Sequence, residues 1–400
     1  MANPSTDPDR RSALWALMMG NFVIGTGVMA VPGTLPDISR SLGVSIPQAG
    51  QLITAAAIMM GLGAPLFASL VAAWDRRRLL TLSLLWYALL MGLSALAPSY
   101  LTLLPLRVLA VVAPAVFTPQ AAACIGLLVP AAQRGRAIAF VFLGWSVASV
   151  LGMPLTAWIG GVLGWRWAFA LVTLLSLASA LWVWRAMPDG VRPEALSRQA
   201  WGRTLGSAPV MLALGVTLLS SFGQFTLFSY FAPYLQQTLA ASAAVLSLLF
   251  LWFGAFGLAG NIALTRWVDR LGAPRAALIA LLLMATSLAL WPAGRAGLVA
   301  QALVMVPWAL GCFSGNSAQQ ARLVHLSPVL APASVALNTS AMYAGQGLGA
   351  ALGGALIAQG QLLQLHWVGL ALMLLAMALS WQAERVRTRS PRTAAAPPAD

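Results

Sequence analysis

GLGAPLFASLVAAWDRRRLL, residues 61–80, reads as the end of one apolar helix, a charged turn and the start of another. No charge appears before Asp75, three arginines follow at once, and Leu79 and Leu80 resume the apolar pattern. A helix crossing hydrocarbon needs roughly 20 apolar residues, and runs of that length recur on both sides of this turn. Lipid offers backbone amides no partner, so each crossing must satisfy its own hydrogen bonds as a helix. The runs predict twelve helices at 12–36, 47–72, 79–97, 100–129, 136–161, 165–187, 207–236, 242–267, 275–293, 296–324, 331–358 and 362–382, referred to as helices 1 to 12.

Composition agrees. The 400 residues are 60% hydrophobic and 8% charged, against roughly a quarter charged in ordinary soluble domains, which excludes a water-soluble fold. The net charge of +14 could suggest nucleic acid, whose partners carry basic surfaces. Here, however, the basic residues are all arginine and sit a few at a time between apolar runs, so no nucleic-acid partner is expected. Cys124 and Cys312 both fall inside apolar segments, leaving neither a disulfide framework nor metal-ligand spacing. No metal or cofactor is expected. The first apolar run exceeds a signal-peptide core and reads as a retained helix.

Arg40, Arg107, Arg166 and Arg295 fall on one side of the twelve-helix plan and the other nineteen arginines on the opposite side with both termini. Because cytoplasmic loops hold the excess of positive charge, both termini are expected in the cytoplasm. The expected organisation is a cytoplasmic N-terminus (1–11), a six-helix bundle (12–187), a cytoplasmic linker (188–206), a second six-helix bundle (207–382) and a disordered cytoplasmic tail (383–400), whose composition has little to bury. A shift of 197 residues (233 − 36) brings Pro36 onto Pro233, Gly63 onto Gly260, Arg78 onto Arg275 and Gly152 onto Gly349. Such repeats mark transporter folds whose halves move about a central site.

Ordered motifs extend this reading. They are Leu35-Pro36-Asp37-Ile38, Ala49-Gly50-Gln51, Gly63-Ala64-Pro65-Leu66, Asp75 to Leu80, Asp269-Arg270-Leu271-Gly272, Arg107, Gly152-Met153-Pro154 and Gly164 to Phe169. Together they resemble the major facilitator superfamily, in its branch of bacterial twelve-helix drug and sugar efflux proteins, over about residues 14–381. The resemblance implies an all-α membrane protein of two six-helix bundles related by a pseudo-two-fold axis in the bacterial inner membrane. It also implies transport of a small organic molecule by alternating access, in the direction of export, by a chain acting as a monomer in the lipid bilayer.

Polar groups in apolar helices are costly and tend to face a wet cavity or the protein interior. In the superfamily helices 1, 4, 7 and 10 line the cavity, helped by 2, 5, 8 and 11. Candidate substrate-binding residues on them are Asn21, Thr26, Arg107, Gln120, Trp145, Gln224, Phe228, Asn316, Gln319, Asn338, Tyr343 and Gln346. An interhelical hydrogen bond is the competing reading for each amide. Candidate conformational-switch residues are Asp37, Asp75, Arg76, Gly152, Pro154, Asp269, Arg270 and Gly349. The charged ones would hold the cytoplasmic ends together, and the glycines and proline would form sliding helix contacts.

Every acidic residue lies in a loop, a helix end or a tail, and Val28 stands where proton-coupled relatives commonly carry an acid in helix 1. Proton coupling therefore stays open, with a proton-independent facilitator and a non-transporting membrane sensor as alternatives. An intramembrane enzyme would need facing nucleophile and base at membrane depth, which two isolated histidines and no buried acid do not supply.

Overall fold

A computed structural model of the chain describes residues 8–71, 74–130, 133–192, 198–326 and 331–389. Twelve helices among the described residues are long and apolar enough to cross a membrane. In order they are helix 1 (Pro8–Leu42), helix 2 (Ile46–Leu70), helix 3 (Arg76–Ala95), helix 4 (Tyr100–Ala110 and Val112–Leu128), helix 5 (Arg134–Val147 and Met153–Leu163) and helix 6 (Trp165–Ala186). A short linker helix, Arg198–Leu205, leads to helix 7 (Ala208–Phe228 and Phe231–Leu239), helix 8 (Ala243–Leu271), helix 9 (Ala273–Leu290), helix 10 (Leu298–Leu326), helix 11 (Ala331–Ala358) and helix 12 (Leu365–Arg389). Helix 12 thus runs past residue 382, where the sequence pattern placed a disordered tail. There the Arg385 guanidinium stacks on Trp381, 3.2 Å from the ring centroid. Residues 390–400 and 1–7 of the expected terminal segments, and 193–197 of the linker, lie outside the described residues.

The breaks in helices 4, 5 and 7 have one cause. Proline has no N–H to give the carbonyl four residues earlier. Pro114 therefore leaves Ala110 without its helical donor, and helix 4 is interrupted at Val111. Pro154 does the same to Val150, inside the stretch Ala148–Gly152 where helix 5 widens to a π turn. Pro233 stands opposite Ser229, where helix 7 stops before restarting at Phe231. Helix 3 begins on a cap, the Asp75 carboxylate accepting from Arg78 N at 3.2 Å. Helix 4 begins on a Ser99–Thr102 capping box.

Helices 1 to 6 and 7 to 12 form two bundles, whose main mutual contacts join helix 2 to 11, helix 5 to 8 and helix 1 to 7. The repeat seen in the sequence is visible in the packing. Gly152 of helix 5 lies against Thr26 of helix 1, and Gly349 of helix 11 lies against Phe222 O and Thr226 N of helix 7. The same helix pair in each bundle closes on a glycine, and a side chain at either position would collide.

Helices 10 and 12 are tied by a buried cation. The Arg322 guanidinium, 2% exposed, donates to Ser380 Oγ at 3.0 Å and to Ser380 O at 3.1 Å, with Glu384 Oε2 at 3.8 Å. Charge-assisted bonds of this kind contribute roughly 1.5–3 kcal/mol each when one partner is removed. Arg322→Ala is therefore expected to lower stability by about 3 kcal/mol, and Ser380→Ala, which keeps the carbonyl acceptor, by about 1 kcal/mol. Thermal unfolding in detergent measures both. Equal midpoints for the two variants would refute this account of the contact.

Candidate functional site

The face of the molecule opposite the two termini is where the bundles meet most clearly. At the seam of helices 5 and 8, a Cβ on Gly161 would strike Ala243, and Ser247 Oγ donates to Pro154 O at 2.9 Å. Further along, Gly254 packs on the backbone of Ser149 and Val150, at the π turn of helix 5. At the seam of helices 2 and 11, Gly354 lies against Pro47, Gly347 against Thr54 and Ile58, and Gly61 against Ser340 and Ala344. Tyr230, from the break in helix 7, reaches Gly50 across the boundary while donating to Ala350 O at 2.7 Å. Asp37 belongs to this region. It is paired with Arg40 at 2.6 Å and lines a cavity of about 210 Å³ with Gln236, Ser242 and Ala243 of the other bundle.

Among the described residues, the glycine contacts between the bundles stop at Gly61, short of the ends that carry the termini. Helix 4 packs chiefly on helices 1, 2, 3 and 5, and helix 10 on helices 7, 8, 9 and 11. The charged turn after helix 2 also bonds within its own bundle. Asp75 Oδ2 accepts from Gly190 N at 2.7 Å, and the Arg76 guanidinium donates to the carbonyls of Trp74 at 2.6 Å and Val71 at 3.0 Å. Arg77 pairs with Asp189 at 2.7 Å. In this conformation Asp75 ties the start of helix 3 to the segment after helix 6 and the Arg76 guanidinium ties it to the end of helix 2, whereas the sequence pattern suggests a latch between bundles. Arg270 is exposed in the last turn of helix 8, and the side chain of Asp269 is outside the described set.

Two polar clusters occupy the middle of the bundles. In the first, Thr118 Oγ1 donates to Asn21 Oδ1 at 2.8 Å, Trp145 Nε1 donates to Thr118 Oγ1 at 3.4 Å and Asn21 Nδ2 donates to Val141 O at 3.3 Å. This joins helices 1, 4 and 5. In the second, Thr217 Oγ1 donates to Asn338 Oδ1 at 2.6 Å, Asn338 Nδ2 donates to Asn316 Oδ1 at 3.3 Å and Gln319 Nε2 donates to Ala213 O at 3.1 Å and Thr217 Oγ1 at 3.4 Å. This joins helices 7, 10 and 11. Gln224 sits deeper and donates to Cys312 Sγ at 2.8 Å.

The remaining candidates separate from these clusters. Thr26 is buried and returns its hydroxyl to Phe22 O of its own helix at 2.8 Å. Arg107, 1% exposed, is enclosed by its own bundle, with Nη1 on Met91 Sδ at 3.1 Å and the guanidinium 5.4 Å from the Phe169 ring. It therefore does not join either polar cluster, although the sequence reading counted it among the ligand-facing groups. Phe228 is part of an aromatic core with Phe231, Phe253 and Trp308. Gln120 is buried on helix 4, and Gln346 is half-buried on helix 11. Tyr343 packs across the bundle boundary with Ala56, Met60 and Val111. Thr118 and Thr217 are not singled out by the sequence, and Cys312 reads there only as a cysteine inside an apolar segment. A threonine in a helix ordinarily satisfies its hydroxyl on the preceding turn, so its letter alone carries no sign of an interhelical role.

Two six-helix bundles with polar clusters at mid-span define a multi-pass membrane transporter, and comparison with known proteins gives its family. The family model described as Major Facilitator Superfamily matches residues 17–231 and 213–399. The chain is 32% identical over 382 residues to the "Inner membrane transport protein YdhP" of Escherichia coli (strain K12), covering 93% of this chain and 97% of that one. It is 28% identical over 371 residues to a "Probable sugar efflux transporter" of Helicobacter pylori (strain HPAG1), covering 91% and 93%. A solved bacterial homologue of the human lysosomal transporter Spinster superposes with a TM-score of 0.74 at 18% identity, over 96% of this chain and 98% of that one. The chain belongs to the major facilitator superfamily, and is a transporter rather than an enzyme.

Proposed function

We propose that the chain exports a moderately polar or amphipathic organic molecule across the bacterial inner membrane by alternating access, with both termini in the cytoplasm. The observation that carries the reading is the asymmetry of the bundle contacts. The seams of helices 2 with 11 and 5 with 8 are packed toward the face opposite the termini, whereas helices 4 and 10 pack each within its own bundle. A chamber opening toward the termini, bounded by the Asn21–Thr118–Trp145 and Asn316–Asn338–Thr217–Gln319 clusters, would receive its cargo from the cytoplasm. Amides, hydroxyls and an indole can hydrogen-bond a neutral polar group while offering apolar wall. Arg107 is withdrawn from them, which favours a neutral cargo over an anion. The efflux named for the Helicobacter relative supports the outward direction.

A second reading concerns energy coupling. An intramembrane acid is the simplest proton carrier, and no aspartate or glutamate lies in the middle of any span. A facilitator that runs without protons is therefore the reading we favour over antiport. The experiment is a ligand-induced thermal-shift screen of purified protein followed by flux of the hits in proteoliposomes. Flux that is saturable, reversible and independent of an imposed pH gradient is expected. Uphill flux that collapses with the gradient would overturn the facilitator, and a protein that moves none of its ligands would overturn transport of them.

A further inference from the structure

The three arginines of the charged turn have three different fates. Arg76 is buried on backbone carbonyls, and Arg77 is held by Asp189, by Trp184 O at 2.7 Å and by the Trp184 ring. The exposed Arg78 guanidinium has no partner among the described residues. Instead it stands at the mouth of a groove of about 510 Å³ between helices 3 and 6, bordered by Thr81, Leu82, Leu85, Leu177, Ala180 and Trp184. On helix 3 the lining falls at 78, 81, 82 and 85, and on helix 6 at 177, 180, 181 and 184, which is one face of each helix. The small Ala180 and Thr81 form the floor, and the half-exposed leucines form the walls. The volume lies inside the range of about 300–1,000 Å³ usual for small-molecule sites.

Thr81 supplies the second observation. It is 7% exposed and lines the groove, yet its hydroxyl has no hydrogen-bond partner. Most helical threonines in this chain return the hydroxyl to their own helix, as Thr26 and Thr156 do. A buried hydroxyl left unmatched is costly, so the groove asks for an acceptor about one helical turn below a free cation. We propose that the groove holds one acyl chain of an anionic phospholipid from the bilayer, with the phosphate on Arg78 and a glycerol ester carbonyl accepting from Thr81. A phosphodiester next to its ester linkages, above a hydrocarbon chain, presents the matching groups in the matching order. The acids nearby are already engaged, since Asp75 accepts from Gly190 N and Arg78 N and Asp189 holds Arg77.

The test is native mass spectrometry of protein released from vesicles of equimolar phosphatidylglycerol and phosphatidylcholine, counting retained lipid by class. The wild type is expected to favour phosphatidylglycerol about fivefold, the worth of one arginine at a membrane surface. Arg78→Ala should bring the ratio to about one, and Arg136→Ala, which removes an exposed arginine of helix 5, should leave it unchanged. Thr81→Val should lower retention of both classes by about threefold with the ratio preserved. Leu177→Trp, which fills the groove from its lipid-facing wall, should remove the retained lipid. Equal retention of the two lipids by wild type, a preference that survives Arg78→Ala, or full occupancy in Leu177→Trp would each overturn the proposal.

Discussion

Replacing Gly254 with leucine is expected to reduce flux at least about tenfold while leaving the unfolding midpoint close to that of the wild type. A Cβ at this position would lie 2.6 Å from Ser149 O and 2.7 Å from Val150 Cα, and backbone cannot move aside as a flexible side chain can. Overpacking of this kind costs about 1–3 kcal/mol, and the cost falls only on the conformation in which the seam of helices 5 and 8 is closed. A transporter cycling between two states is thereby biased toward the one with that seam apart, and a bias of this size changes populations by roughly 5–150-fold. Gly144 is the control. A side chain there would meet Met18 O at 2.3 Å and Phe22 N at 2.7 Å, but helices 1 and 5 belong to the same bundle. Gly144→Leu should therefore lower the midpoint, because no rearrangement between bundles relieves the clash. Spin labels on cysteines placed at Arg40 and Gln237 report the far-face separation. Gly254→Leu should lengthen that distance and Gly144→Leu should not. A Gly254→Leu protein with wild-type distances and wild-type flux would show that the seam does not have to open.

The fold was legible because membrane burial leaves coarse marks. Arg76 to Arg78 and Asp269 to Gly272 interrupt apolar runs that are long enough to cross hydrocarbon, and both fall at equivalent turns of the two halves, on the side of the twelve-helix plan that carries the termini. The breaks in helices 4, 5 and 7 were not legible: the sequence pattern runs each as one helix, and although Pro114, Pro154 and Pro233 stand at the breaks, Pro32, Pro36, Pro119 and Pro307 lie inside helices that continue past them. The candidate site was legible only in part. Asn21, Asn316, Gln319 and Asn338 are marked by their cost in an apolar helix and Trp145 as apolar wall, and all five lie in the polar clusters. Arg107 carries the same kind of mark, and Phe228 reads as apolar wall, yet both pack inside their own bundles. A helix that is apolar on all sides gives no periodicity from which its inward face can be read. Asp75 shows a different limit. A carboxylate at a helix start can cap, latch or neutralise, and which of these it does depends on Gly190, a residue far away in sequence.

Asn338→Leu is expected to carry the other large effect, on stability and flux together. Asn338 is fully buried, accepts from Thr217 at 2.6 Å and donates to Asn316 at 3.3 Å. Leucine fills much the same volume but strands the buried Thr217 hydroxyl, at about 1–3 kcal/mol, and removes the partner of the half-buried Asn316 carbonyl oxygen. Interhelical hydrogen bonds in membranes average nearer 0.6 kcal/mol, so a total of about 2 kcal/mol is the expectation, read as a drop in the thermal midpoint. Adding Thr217→Val removes the stranded hydroxyl and should restore about 1 kcal/mol, a coupling that independent sites would not show. Flux separates packing from ligand contact. If the cluster serves only to hold helices 7, 10 and 11 together, the double variant should regain flux along with stability. If the amides of Asn338 and Asn316 meet the cargo, flux should stay at least about tenfold down, as expected when a site's polar group loses its partner. Recovery of both quantities in Asn338→Leu/Thr217→Val would remove this cluster from the binding site and leave Trp145 and Gln346 as the groups to examine next.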